Sequence, residues 1–212
     1  MFIKKLQPNS DTAIKGFTLV EVLVSISIVT VMMVVVLYNY GRFTDRLALT
    51  AAGQEIAVTI RQAQTYGLSV RELTSSPGSF SSGYGTYFTL SDPTSYYLFA
   101  DVVADKMYGI GSVCGAPSTE CVQRFALRNG IRISRLCSVP SIGAPVCAPA
   151  TSSFNAMSVT FLRPNPDANI RLSNSGLFYA DPLTSQIVLV SPQGTELVIT
   201  IESTGQVLVN MN

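Results

Sequence analysis

The chain contains no histidine and no tryptophan. The missing histidine removes the usual general base, the usual zinc ligand and every Ser–His–Asp arrangement. No nucleophile–base pair, phosphate-binding glycine loop or cofactor fingerprint is present, so no cofactor and no enzymatic role are expected. Charged residues make up only 13% against 47% hydrophobic, a balance that excludes a disordered chain. No proline stands between Pro8 and Pro77, so nothing forbids a long helix there. The length of 212 residues suggests one modest domain with an appendage.

The net charge of +1 gives no overall bias toward nucleic acid. The basic excess sits at the front, where Lys4, Lys5 and Lys15 face only Asp11. That is the pattern of a segment kept on the cytoplasmic side of a membrane. Residues 17–38 then read FTLVEVLVSISIVTVMMVVVLY, 22 residues with one charge, Glu21. Such a run is long enough to cross a bilayer as a helix. A secretory signal would end in small residues after its apolar run. This one passes into Leu37-Tyr38-Asn39-Tyr40-Gly41-Arg42 instead. An ordinary anchor would avoid Glu21, because an acid in a membrane core costs roughly 2.5–3.5 kcal/mol on insertion scales.

The stretch Lys15-Gly16-Phe17-Thr18-Leu19-Val20-Glu21 closely resembles the class III leader of type IV prepilins and type II secretion pseudopilins. The resemblance covers roughly residues 1–40. It implies cleavage after Gly16 by a membrane aspartyl prepilin peptidase, N-methylation of the new first residue Phe17, and an assembly role for Glu21. The expected partners are that peptidase/N-methyltransferase, other pilin or pseudopilin subunits, an inner-membrane assembly platform and the membrane itself. The expected location is single-pass in the cytoplasmic membrane with the C-terminal domain outside the cytoplasm, then in a filament. The physics agrees. Cleavage leaves an ammonium at the membrane end of the helix, with Glu21 about 6 Å further along the axis. A carboxylate near a helix N-terminus is favoured by the dipole, and an ammonium of the same or a neighbouring subunit can neutralise it.

A helix can run from about Phe17 to about Leu73, about 85 Å. In its second half Leu49, Ala52, Ile56, Ile60, Ala63, Gly67 and Val70 recur at spacings of three and four, one buried stripe of an amphipathic helix. Gly41 and Gly53 are weak points in it. Many major pilins have a helix-breaking proline in the apolar half; this chain has none. Residues 74–83 read as a loop. Thereafter short strands are expected at 84–90, 95–103, 122–127, 131–136, 157–162, 186–191, 195–202 and 206–209. The expected fold class is α+β, a long N-terminal helix packed on an antiparallel β-sheet domain. The expected parts are a leader at 1–16, a membrane and assembly helix at 17–38, its amphipathic continuation at 39–73 and a β domain at 74–212. Two hairpins are expected. Around Asn129-Gly130, a three-residue loop pairing Leu127 with Ile131 and Phe125 with Ile133 keeps apolar residues on one face. The last joins 197–201 to 206–209. The pattern from Ser175-Gly176-Leu177 to Gly205-Gln206-Val207 is similar to the H-type pseudopilin and FimT minor-pilin group (GspH/FimT-like), which implies a minor, tip-located subunit.

Cys114, Cys121, Cys137 and Cys147 all lie beyond the apolar run. Outside the cytoplasm they would form disulfides. Their spacing includes no CxxC, which sets zinc aside. Four cysteines allow three pairings. Cys114–Cys121 with Cys137–Cys147 is preferred, because each closes a Gly/Pro/Ser loop without crossing the segment between them. Arg124, Arg128, Arg132 and Arg135 form the one basic cluster. Some FimT-type pilins bind DNA through basic residues near the C-terminus, but the tail 206–212 has none. A solvated strand face is therefore the expectation for Arg124, Arg128 and Arg132, and nucleic acid is not an expected partner. Asp92, Asp101, Asp105, Asp167 and Asp181 sit at turn-like positions. Asp167 lies in a turn-rich stretch, 163–169, without EF-hand spacing, so a plain loop is expected there and no metal.

Overall fold

The computed structural model describes residues 16–69, 83–109, 113–114, 119–140, 144–149, 154–174 and 177–211. The leader up to Lys15, the expected helix end at 70–73 with Val70, and the loop at 74–82 lie outside these residues. The chain divides into two units, Met1–Gly41 and Arg42–Asn212.

One helix, α1, spans Leu19–Leu68. Among the described residues eleven strands follow: β1 Gly83–Thr89, β2 Ser95–Asp101, β3 Cys121–Ala126, β4 Arg132–Val139, β5 Val146–Ala148, β6 Ala156–Leu162, β7 Asn165–Asn174, β8 Leu177–Ala180, β9 Thr184–Val190, β10 Glu196–Glu202 and β11 Val207–Met211. The α+β class holds. The strands form two antiparallel sheets, ordered β3-β2-β1-β6-β7-β8 and β11-β10-β9-β4-β5.

In the second unit, α1 buries its stripe as its periodicity dictates. Leu49, Ile56, Ile60 and Ala63 are fully buried. They share one core with Phe88, Tyr96, Leu98, Met157, Val159 and Phe161 of the first sheet and Leu136, Ile187, Leu197, Ile199 and Ile201 of the second. Gly53 is not a weak point but a contact. A Cβ there would lie 2.7 Å from the Leu197 side chain of β10. At Gly67 the helix touches backbone, with the Phe161 carbonyl oxygen where a Cβ would need to stand. Small residues therefore set how closely α1 approaches both sheets.

The central strand β1 is buried on both faces. Its inner face meets the shared core. Its outer face carries a second cluster of Tyr87, Phe99, Tyr108, Cys121 and Ala156, with Tyr97 and Cys114 against it. Segment 102–109 covers that cluster and is folded onto two buried acids. Asp101 accepts the backbone N–H groups of Asp105 at 3.1 Å and Lys106 at 3.0 Å. Glu120 accepts those of Gly109 at 2.6 Å and Val103 at 3.5 Å. Burial pushes both carboxyls above their ordinary range, and these backbone bonds pull the other way.

Three expectations are corrected here. The Asn129-Gly130 hairpin does not form. Its turn exists, with φ of 58° and 72° and Ile131 N–H donating to the Arg128 carbonyl at 3.1 Å. The flanking strands then part into different sheets, β3 beside β2 and β4 beside β9. The turn Pro93-Thr94 lies between them: Leu127 N–H donates to the Thr94 carbonyl and Ile133 N–H to the Pro93 carbonyl, at 2.8 and 2.7 Å. Leu127–Ile131 and Phe125–Ile133 are therefore not pairs, although all four side chains join one core. Second, the 163–169 stretch is not a plain loop, since β7 starts at Asn165 and pairs with β6 through Asn169 and Thr160. Third, β5 and β8 are strands that composition did not reveal. The last hairpin has the expected partners, with Ile201 opposite Val207 and Ile199 opposite Val209.

Candidate functional site

The first unit holds the residues that the leader motif singles out. Gly16, Phe17 and Thr18 precede the helix and are exposed. Thr18 is its N-cap: its hydroxyl accepts the Glu21 N–H at 3.2 Å, and its carbonyl accepts the Val22 N–H at 3.2 Å. Glu21 therefore stands in the first turn, where the helix dipole favours a negative charge. Among the described residues its carboxylate has no partner.

From Leu19 to Leu37 the apolar side chains lie bare. Phe17 is 81% exposed, Leu19 75% and Leu37 70%. The hydroxyls in this run are satisfied within the helix. Ser25 donates to the Glu21 carbonyl at 2.7 Å, Ser27 to Leu23 at 2.9 Å and Thr30 to Ile26 at 2.8 Å. Among the described residues of this run, Glu21 is the one polar side chain left asking for a partner in a low-dielectric surround. The helix is long and apolar enough to cross a membrane.

In the second unit, Cys114 is bonded to Cys121 and Cys137 to Cys147, leaving no free thiol. Cys137 and Cys147 face each other across β4 and β5, so the bond pins that three-residue strand. Arg124, Arg128 and Arg132 are all exposed, but they are not one basic face. Arg124 lies on β3 in one sheet and Arg132 on β4 in the other. Arg124 is also committed. Its guanidinium donates to Asp92 at 2.9 Å and to the Ser95 hydroxyl at 2.7 Å, and lies over the Tyr97 ring. Burial pushes the Asp92 carboxyl up, but donors on Ser95, Tyr97, Thr94 and Arg124 outweigh it and bring it from 3.8 to about 2. Arg135 likewise pairs with Glu196 at 2.6 Å.

Two of these contacts were missed in the sequence. The Thr18 cap carries a local signal, a threonine three residues before a glutamate at the head of an apolar run. The Asp92–Arg124 pair carries none, because the two meet only through the β2–β3 pairing.

The first unit thus presents a bare apolar helix opened by a threonine cap, with one acid in its first turn. Residues 12–37 match the family model described as the prokaryotic N-terminal methylation motif. The chain thus carries the class III prepilin leader of type IV pilin-like proteins and is a prepilin-peptidase substrate of that type. The motif and the single apolar helix together fit a single-pass, membrane-anchored pilin. No curated protein and no solved structure matches the chain.

Proposed function

We propose that this protein is a non-enzymatic filament subunit, a minor pilin or pseudopilin of a type IV pilus or type II secretion filament. It is stored in the cytoplasmic membrane with its β domain outside the cytoplasm, cut after Gly16 and N-methylated at Phe17. The subunit then leaves the membrane to pack helix against helix with other subunits on an assembly platform. The supporting observation is the Glu21 carboxylate, without a partner among the described residues, in the first turn of a bare apolar helix. An ammonium on Phe17, or on a neighbour's first residue, answers that charge and fixes the register between subunits. Intact-mass analysis of protein from native membranes tests the cut: the expected chain begins at a methylated Phe17. A Glu21→Ala variant should still be cut but fail to enter filaments. Normal incorporation of that variant would overturn the assembly role.

A second reading makes the β domain a binding module, with Arg128 and Arg132 exposed for an anionic ligand such as DNA. The commitment of Arg124 to Asp92 weakens it. Replacing Arg124, Arg128 and Arg132 together by Ala, and finding DNA retention unaltered, would end it.

A further inference from the structure

Hydrolysis of the Gly16–Phe17 amide adds one water, leaving a carboxylate on Gly16 and an ammonium on Phe17. A protease must reach the N–H and the carbonyl of the peptide it cuts, so the bond has to lie outside a helical ladder. Here the helix stops at a defined place. Gly16, Phe17 and Thr18 are non-helical, and the first two helical hydrogen bonds are both received by Thr18. The hydroxyl takes the Glu21 N–H, and the carbonyl takes the Val22 N–H. Were the helix one turn longer, the Glu21 N–H would go to the Phe17 carbonyl, and the Val20 N–H to the Gly16 carbonyl at the scissile bond. The Thr18 side chain competes with that extension, because its oxygen already holds the Glu21 N–H. The reciprocal arm of a capping box, from the Glu21 carboxylate back to the Thr18 N–H, is not among the bonds of the described residues. Glu21 stays available for assembly while Thr18 alone sets the boundary.

We propose that Thr18 is a positioning residue for processing: its hydroxyl ends α1 two residues after the scissile bond and so holds Gly16–Phe17 in an extended, cleavable form. This rests on cleavage after Gly16. It assigns Thr18 a task separate from that of Glu21.

The test uses the full chain in membranes with a prepilin peptidase, with precursor and product followed in time by intact mass. Thr18→Val keeps the shape and loses the acceptor; Thr18→Ala loses both. Each should slow processing about five-fold, the population factor set by a side-chain cap of ordinary strength. Thr18→Ser, Thr18→Asn and Thr18→Asp are good caps of different shape and should restore the rate. Glu21→Gln should be cut at the normal rate. If processing follows shape instead, with Thr18→Val cut normally and Thr18→Asn slowly, the peptidase reads the side chain itself and the proposal falls. If all variants are cut alike, it also falls. If the unaltered chain is not cut between Gly16 and Phe17, the cleavage reading fails first and takes the proposal with it.

Discussion

The two ends of α1 are the same secondary structure with opposite fates. Toward the N-terminus, Leu19 and Leu37 are 75% and 70% exposed; toward the C-terminus, Ile56 and Ile60 are 0% and 1%. A helix that is apolar on every side needs a partner on every side, whereas a striped helix needs only one surface. The later half finds that surface within its own chain, on two sheets that close a single core over it. The earlier half is apolar and exposed on every side from Leu19 to Leu37. Helix formation is common to both halves. What separates them is where the complementary apolar surface is encoded.

The widest gap should appear on trimming one methyl-rich side chain in each half. Ile56→Ala should cost about 2–5 kcal/mol of domain stability, because a fully buried side chain leaves a cavity. Ile28→Ala, at a residue 52% exposed, should stay within about 0.5 kcal/mol in detergent. Urea unfolding followed by circular dichroism decides between them. Equal losses would mean that the N-terminal half folds with the domain. The disulfides come next. Removing Cys137 and Cys147 together should cost roughly 2–3 kcal/mol, and hydrogen exchange should show Val146–Ala148 loosening first. The helicity of residues 19–41 should not change.

The same contrast explains what could be read from sequence. The leader motif and the stripe from Leu49 to Gly67 were legible because their signals are local: a motif that residues 12–37 match, and a period. Most strands were legible to within a few residues for the same reason. Pairing was not. The Asn129-Gly130 turn has the hairpin chemistry, yet the edge it would have paired is occupied by the Pro93 and Thr94 carbonyls, 30 or more residues upstream. The start of β7 hid behind Asn165-Pro166-Asp167, turn-forming by composition, although Ala168, Ile170 and Leu172 alternate inward as a strand requires. A partner chosen by long-range packing leaves no mark at its own position.

The glycines of α1 test how closely the second half is fitted. Gly67→Ala should cost about 1–3 kcal/mol, since its Cβ would meet the Phe161 backbone, which cannot step aside without moving β6. Gly53→Ala meets only side-chain ends, those of Leu197 and Val209, and gains helix propensity of up to ~1 kcal/mol. It should come out near neutral in the same urea titration. A large loss at Gly53 with none at Gly67 would mean that the helix leans on the second sheet rather than the first.

The smallest effect belongs to the domain surface, where Arg124 meets Asp92. The pair is half open to water, so Arg124→Ala should move stability at neutral pH less than any of the changes above. Its pH dependence is more informative. The folded Asp92 titrates at about 2 rather than 3.8, so its contribution is present above about pH 4 and is lost as pH falls toward 2. Asp101 and Glu120 act in reverse. Burial raises them, so the stability they contribute is present in acid and fades as pH rises through their folded values. Acidification from neutral pH should therefore first raise the domain's stability, as Asp101 and Glu120 take up protons, and then lower it between pH 4 and 2, as Asp92 does. Asp92→Asn should remove the second change and leave the first. A variant that loses the same stability between pH 4 and 2 would show that Asp92 does not carry the acid loss.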